Sequence, residues 1–368
     1  MSKKLYVIAG VLLLLAACGP TDQISEEDQI ATLVAEALTT QPTNEEAMDE
    51  PAAENASNAD YGSCEQSDQV SAAYLKDGNV WLWTESGGKV QLTYSSDATE
   101  VQISGDGCRV AYKRDVPNPA FDTEADMFSA EFIQELWAVG SDGSGNQQLV
   151  STDWLFTLPI PESTTSPTVY HFAFQPGSHQ VAFNTRVQTY GLVLVNDIRL
   201  VNVDSGMLMT LREPGEGGNF YFSPDGSQVA FSTPTSVSVI NADGSNLRSH
   251  EVSYASVITY SEYQYYPPVR WVPSGNGFMV AVPPEDGLAK TDGGLLPETA
   301  LWYAPLDGQA AWKAGSIQAD WFGLQEVQFA PDVGRIAYLR PVGEQGSGER
   351  ELVIALSNGS NESAQIAG

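Results

Sequence analysis

The chain has 368 residues, of which 47 are acidic and 17 basic, for a formal charge of −30 at neutral pH. A surface so one-sided repels phosphate backbones and anionic lipid headgroups, which argues against nucleic acid as a partner. The charge bears on partners and solubility only, not on fold.

In chain order, Lys3 and Lys4 come first, followed by an apolar run from Leu5 to Ala17. That run is too short to span a bilayer as a helix but has the length of a signal core. It ends in Leu15-Ala16-Ala17-Cys18, which resembles the bacterial lipobox. The resemblance implies cleavage before Cys18 and acylation of its thiol and its new amine. An ordinary secretory signal with a nearby cysteine is the alternative. Several acyl chains, each gaining about 0.8 kcal/mol per buried CH₂, would anchor the chain durably. The remainder holds no second apolar run of spanning length. The expectation is an extracytoplasmic protein, held to the cell membrane or outer membrane through its lipid alone.

Residues 18–63 read as a tether. No Lys or Arg occurs between Lys4 and Lys76, and Pro, Ala, Thr, Ser, Asn and Glu dominate. Such a segment buries too little apolar surface to offset its ordering entropy. As a random coil it would span on the order of 35–40 Å. Within it, Ser25 and Asp28 form a capping-box pattern, and Ile30, Leu33, Val34, Ala37 and Leu38 follow helical spacing. A transient helix and a small docking helix both fit.

The folded part is residues 64–368. Cys64 and Cys108 remain once Cys18 is acylated, and in an exported chain they are expected to pair. The closed loop would contribute roughly 4 kcal/mol in the chain-entropy account.

Internal repeats set the fold class. Five segments share one pattern: VQISGDGCRVAY (101–112), FAFQPGSHQVAF (172–183), FYFSPDGSQVAF (220–231), VRWVPSGNGFMVAV (269–282) and VQFAPDVGRIAY (327–338). Each is a strand, a tight turn of Pro, Asp, Ser or Gly, and a second strand closing on Val/Ile-Ala-aromatic or a near variant. QVSAAY (69–74) is an incomplete sixth copy. A second hairpin follows each copy, as in NVWLWTESGGKVQLT (79–93) and SVSVINADGSNLRS (236–249). Two hairpins make a four-stranded blade, and six such units predict an all-β chain folded as one β-propeller.

The pair FSPDGSQVAF and SVINADGSNL is similar to the TolB-type propeller repeat, and the likeness runs from residue 70 to 368. Propellers of that family serve mostly as protein-interaction platforms in the envelope, so the resemblance implies an envelope protein partner. The family's α/β domain ahead of the propeller has no counterpart here, so its role in the Tol–Pal system is not carried over.

In an up-and-down blade the two hairpin turns share one face, and the connections between hairpins and between blades share the other. The long insertions 113–134, 151–171, 184–196, 250–268, 283–299 and 340–350 all fall on the second face. Variable loops on a rigid scaffold are where function usually lies. Trp154, Phe156, Tyr254, Tyr260, Tyr263, Tyr265 and Tyr266 sit in these loops, with Trp321 and Phe322 in a shorter link. They are the candidate partner-binding residues, either as interface anchors or as local caps over the blade ends. Stacking on sugar rings keeps a glycan-binding or glycan-cleaving protein open as the second reading.

Chemistry-bearing motifs are sparse. His171, His179 and His250 are not spaced as a metal pair, and no HExxH, GxSxG, P-loop or CxxC occurs. Asp122, Glu124 and Asp126 could meet a Ca²⁺ ion or simply form a solvated acidic loop. No cofactor, metal or catalytic residue is therefore assigned.

Overall fold

A computed structural model describes residues 64, 71–121, 129–159, 166–189, 191–255, 258–259, 263–282, 298–319, 327–342 and 349–367. Six antiparallel sheets follow one another along the chain, five of them meanders of sequence neighbours and the third carrying one added strand, the arrangement of a six-bladed β-propeller. Blade one has three strands, β1 (Ser71–Lys76), β2 (Asn79–Thr84) and β3 (Gly88–Gln91). Blade two has β4 (Ala98–Ile103), β5 (Arg109–Pro117), β6 (Phe132–Gly140) and β7 (Gln147–Val150). A short helix, α1 (Thr152–Leu155), leads to blade three.

Blade three consists of β8 (Ser166–Phe174), β9 (Gln180–Thr189), β10 (Gly191–Leu194), β11 (Ile198–Asn202) and β12 (Leu208–Arg212). Blade four is regular: β13 (Asn219–Phe222), β14 (Gln228–Ser232), β15 (Ser236–Asn241) and β16 (Arg248–Ser253). A two-stranded hairpin, β17 (Ile258–Thr259) with β18 (Tyr263–Gln264), precedes blade five. Blade five has β19 (Val269–Trp271), β20 (Gly277–Val282), β21 (Thr299–Pro305) and β22 (Trp312–Ile317). Blade six has β23 (Gln328–Phe329), β24 (Arg335–Pro341), β25 (Arg350–Leu356) and β26 (Ser363–Ala367).

The repeated Val-Ala-aromatic triplet explains how blades stack. Side chains alternate across a strand, so its first and third residues share a face. Val181 and Phe183 pack toward blade two, while Ala182 faces blade four. Val229 and Phe231 likewise pack against blade three, and Ala230 joins the cluster with blade five. Ile336 and Tyr338 face blade five in the same way. Large groups thus point back along the chain and alanine points forward, leaving room for the next blade's large groups in a close-packed interior. Five hydrophobic clusters join blades one to two through five to six. Among the described residues no such cluster joins six to one.

Two corrections concern insertions. Residues 184–196, expected to be a loop, mostly continue β9 and return as β10, with Gly191 opposite Thr189. The insertion at 250–268 holds the β17–β18 hairpin, which contacts β10. Blade one lacks a partner for the inner edge of β1 among the described residues, in keeping with its incomplete repeat.

Candidate binding face

The two hairpin turns of a blade meet at one end. The second turn donates a backbone N–H to the first in five blades: Ser141 to Cys108 O (3.1 Å), Val203 to His179 O (2.9 Å), Ala242 to Ser227 O (2.9 Å), Leu306 to Asn276 O (2.9 Å) and Ser357 to Gly334 O (3.3 Å). Aspartate or asparagine closes many of these turns from within. Asp225 accepts from the Ser223 hydroxyl at 2.6 Å and from the Ser227 N–H at 3.1 Å. Asp142, Asp243 and Asn358 take the N–H of the residue two ahead in the same way. The Ser223 and Ser227 bonds hold the Asp225 carboxyl below the usual range. Gly226 has φ +71°, and a Cβ there would lie 2.5 Å from Pro176 O, so only glycine lets this turn dock on blade three's.

The turn face also carries its own ionic network. His179 sits between Asp204 (2.6 Å) and Asp106 (2.8 Å), and Arg109 bonds Asp204 at 2.7 Å. Burial would raise Asp106, but bonds from the Ser104 hydroxyl, the Cys108 N–H and His179 outweigh it and hold its pKa at about 2. Beside it Cys64 and Cys108 form a disulfide, with Cα atoms 5.6 Å apart. These charged groups of the turn face are paired with one another.

The opposite end carries the connections between hairpins and between blades. Here the sequence candidates divide. Trp154 is 8% exposed, edge-on to Phe183 at 5.9 Å and beneath the Arg199 guanidinium at 5.1 Å. Ser151 caps its helical turn, accepting the Trp154 N–H at 3.1 Å. Tyr265 is 5% exposed within the cluster between blades five and six. Tyr254 is half-buried, its hydroxyl against Thr233 O at 2.7 Å, and burial pushes its pKa up. Tyr266 is half-buried and donates to Asn196 Oδ1 at 2.7 Å. These four serve as local packing at the blade ends. Phe156, at 37% exposure, is the candidate that reaches solvent. The side chain of Tyr263, together with Tyr260, Trp321, Phe322, Asp122, Glu124 and Asp126, lies outside the described residues.

Two exposed aromatics on this face had not been singled out. Phe121 is 39% and Phe132 50% exposed, at the two ends of the blade-two insertion. Buried Asn118 fixes those ends: its amide donates to Ala130 O (2.8 Å) and Ser166 Oγ (3.0 Å), and its oxygen takes the Ala120 N–H (3.0 Å). The signal was present in the sequence, since Phe132 precedes buried Ile133 and so opens the strand on its other face.

On the same face β9 carries Arg186 between Thr168 of β8 and Leu194 of β10. Its guanidinium stacks on Tyr170 at 4.6 Å. Clefts of about 470 Å³ and 360 Å³ run along the outer flanks between blades three and four and blades four and five. Each holds one carboxylate, Glu216 or Glu251, and each of these is paired with an arginine, Arg212 at 3.0 Å or Arg248 at 2.9 Å. Glycoside hydrolysis commonly needs two carboxylates about 5–10 Å apart. Neither cleft supplies that pair among the described residues, and no helix among them is long and apolar enough to cross a membrane.

No known family model and no curated protein matches the chain. Among solved structures it is similar to TolB from Acinetobacter baumannii, at 11% identity and a TM-score of 0.38 over 93% of this chain and 69% of that one. It is also similar to dipeptidyl peptidase 4 from Porphyromonas gingivalis, at 12% identity and a TM-score of 0.47 over 80% of this chain and 44% of that one. A third is the β-propeller domain of the Trilobed protease from Pyrococcus furiosus, at 9% identity and a TM-score of 0.42 over 74% and 72%. The blades themselves, not these distant likenesses, establish the fold.

Proposed function

We propose that the chain is an exported binding module, anchored through acylated Cys18, that holds an envelope protein on the long-loop face of its propeller. The observation that carries this reading is a set of three exposed phenylalanines on one blade. Phe121, Phe132 and Phe156 reach solvent on the loop face of blade two, while the turns opposite close their polar groups with their own aspartates and expose the aliphatic Met207 and Leu247. Exposed aromatics held by a rigid scaffold are what protein interfaces use as anchors.

The experiment is site-specific photocrosslinking in native envelopes. A crosslinking side chain at Phe132 should capture a discrete protein, and one at Asp243 on the turn face should not. Equal capture from both positions, or none from Phe132, would overturn the reading. Capture of polysaccharide instead would favour the glycan-binding alternative. Labelling with a radioactive fatty acid, abolished by Cys18→Ser, tests the anchor separately; unlabelled wild type would remove it.

A further inference from the structure

Five seams of the propeller close on apolar clusters, and the seam between blades six and one differs from them. The alanine of each triplet, with the residue opposite it in the next strand, marks the forward face of a blade. In blades two to five those side chains are at most 1% exposed, Ala182 and Leu200 among them. Their counterparts in blade six, Ala337 and Ile354, are half-buried, and Leu356 on the same face is 38% exposed. Blade one, next in the ring, turns a bare face toward that seam. Tyr74 and Trp81 are half-buried there and Trp83 is 36% exposed.

Charge sets these two faces apart as well. Lys76 lies over the Trp81 ring at 5.3 Å, Lys89 stands opposite Trp83, and Arg335 stands opposite Leu356. All three are exposed, and none pairs with a carboxylate among the described residues. The strands of blades one and six hold a single acid, Glu351. It faces blade five instead, paired with Arg340 at 2.6 Å. In a chain with 47 acids and 17 bases, an apolar surface fringed only by cations is not what composition delivers.

The two features divide the work of recognition. Uncovered apolar side chains on neighbouring blades supply area to bury, and the cations select the sign of what covers it. The net charge of −30 repels anions at long range. Salt confines that field to about 10 Å, so a short acidic segment responds to the charges it touches. A long polyanion feels the whole surface and is turned away.

We propose that the seam between blades six and one receives an acidic segment of a protein partner with apolar residues among its carboxylates. The apolar residues cover Trp81, Trp83, Ile354 and Leu356, and the carboxylates meet Lys76, Lys89 and Arg335. The site is separate from the loop face and does not depend on it.

The test is fluorescence anisotropy with the full chain and labelled peptides that share alternating leucines. The residues between the leucines are glutamate, serine or lysine. The glutamate peptide should bind saturably, and the other two on the order of tenfold more weakly. Net charge alone would favour the lysine peptide, so this order isolates the seam. A lysine peptide bound as tightly as the glutamate one, or no saturable glutamate binding, overturns the proposal. Trp83→Ser and Leu356→Ser lie on separate blades, and folding of each is checked by circular dichroism. Each should weaken the glutamate peptide on the order of tenfold. Lys76→Gln with Lys89→Gln should erase most of its advantage over the serine peptide. Phe132→Ser, on the loop face, should change nothing. Unchanged affinity in the folded seam variants, or a loss in Phe132→Ser, overturns the assignment to this seam.

Discussion

The two ends of the propeller are made of the same strands and follow opposite rules. At the turn face, short repeated motifs satisfy their own polar groups: Asp225 takes Ser223 and Ser227, and the second turn bonds the first in five blades. At the loop face each connection differs, and Phe132 stands half-exposed on one of them. Turn chemistry repeats because it closes a hairpin with local bonds; loop chemistry varies because the scaffold holds without it. Substitutions at the turns and seams should therefore cost stability, and substitutions on the loops should cost binding.

The largest expected effect is at a seam between blades. Phe183→Ala removes a fully buried ring from the cluster between blades two and three and should cost about 3–5 kcal/mol in denaturant unfolding. A loss below about 1 kcal/mol would show that the seam can collapse around the cavity. Next comes Cys64→Ser with Cys108→Ser, expected to cost up to about 4 kcal/mol for a loop with a sequence separation of 44. An unchanged melting temperature would show that the crosslink leaves the unfolded chain unconstrained.

Single turn contacts come third. Asp225→Ala should cost no more than about 1 kcal/mol, because water screens an exposed carboxylate. The pH profile sharpens the same point. Asp106 sits at about 2 when folded against a usual 3.8, so folding favours its charged form. Its contribution is full above pH 3.8 and is lost as pH falls toward about 2. His179→Gln should shrink that acid-limb loss; an identical acid limb in wild type and variant would remove the network from the account. Phe132→Ser should have the smallest stability effect, within about 0.5 kcal/mol, while abolishing partner capture from a crosslinker at Phe121. Loss of folding in that variant would erase the contrast between the faces.

What the sequence made legible follows this division. Val-Ala-aromatic and Asp-Gly-Ser recur because backbone geometry demands them locally, so six blades and the positions of their turns could be read without coordinates. The loop aromatics could not be sorted that way. Trp154 and Tyr265 lie in connections by sequence, yet one is pinned beneath Arg199 and the other fills the seam between blades five and six. Nothing local distinguishes them from Phe156, because what buries them comes from neighbouring blades. The β9 extension was hidden for a related reason: residues 184–196 look like a loop, and only the pairing of β9 with both β8 and β10 makes most of that insertion part of the sheet.

The bond between Cys64 and Cys108 also decides where a pull on the chain is felt. Load arriving along the backbone from before residue 64 leaves the main chain there and crosses to Cys108, at the first turn of blade two. All of blade one and strand β4 lie inside the bypassed loop, so the three-stranded blade, the one with the fewest strands among the described residues, would carry no tension. Were the chain held from its N-terminal side in an oxidising compartment, the propeller would be loaded at a four-stranded blade braced by its neighbours. Reduction would move that point of attachment to β1 and peel blade one first.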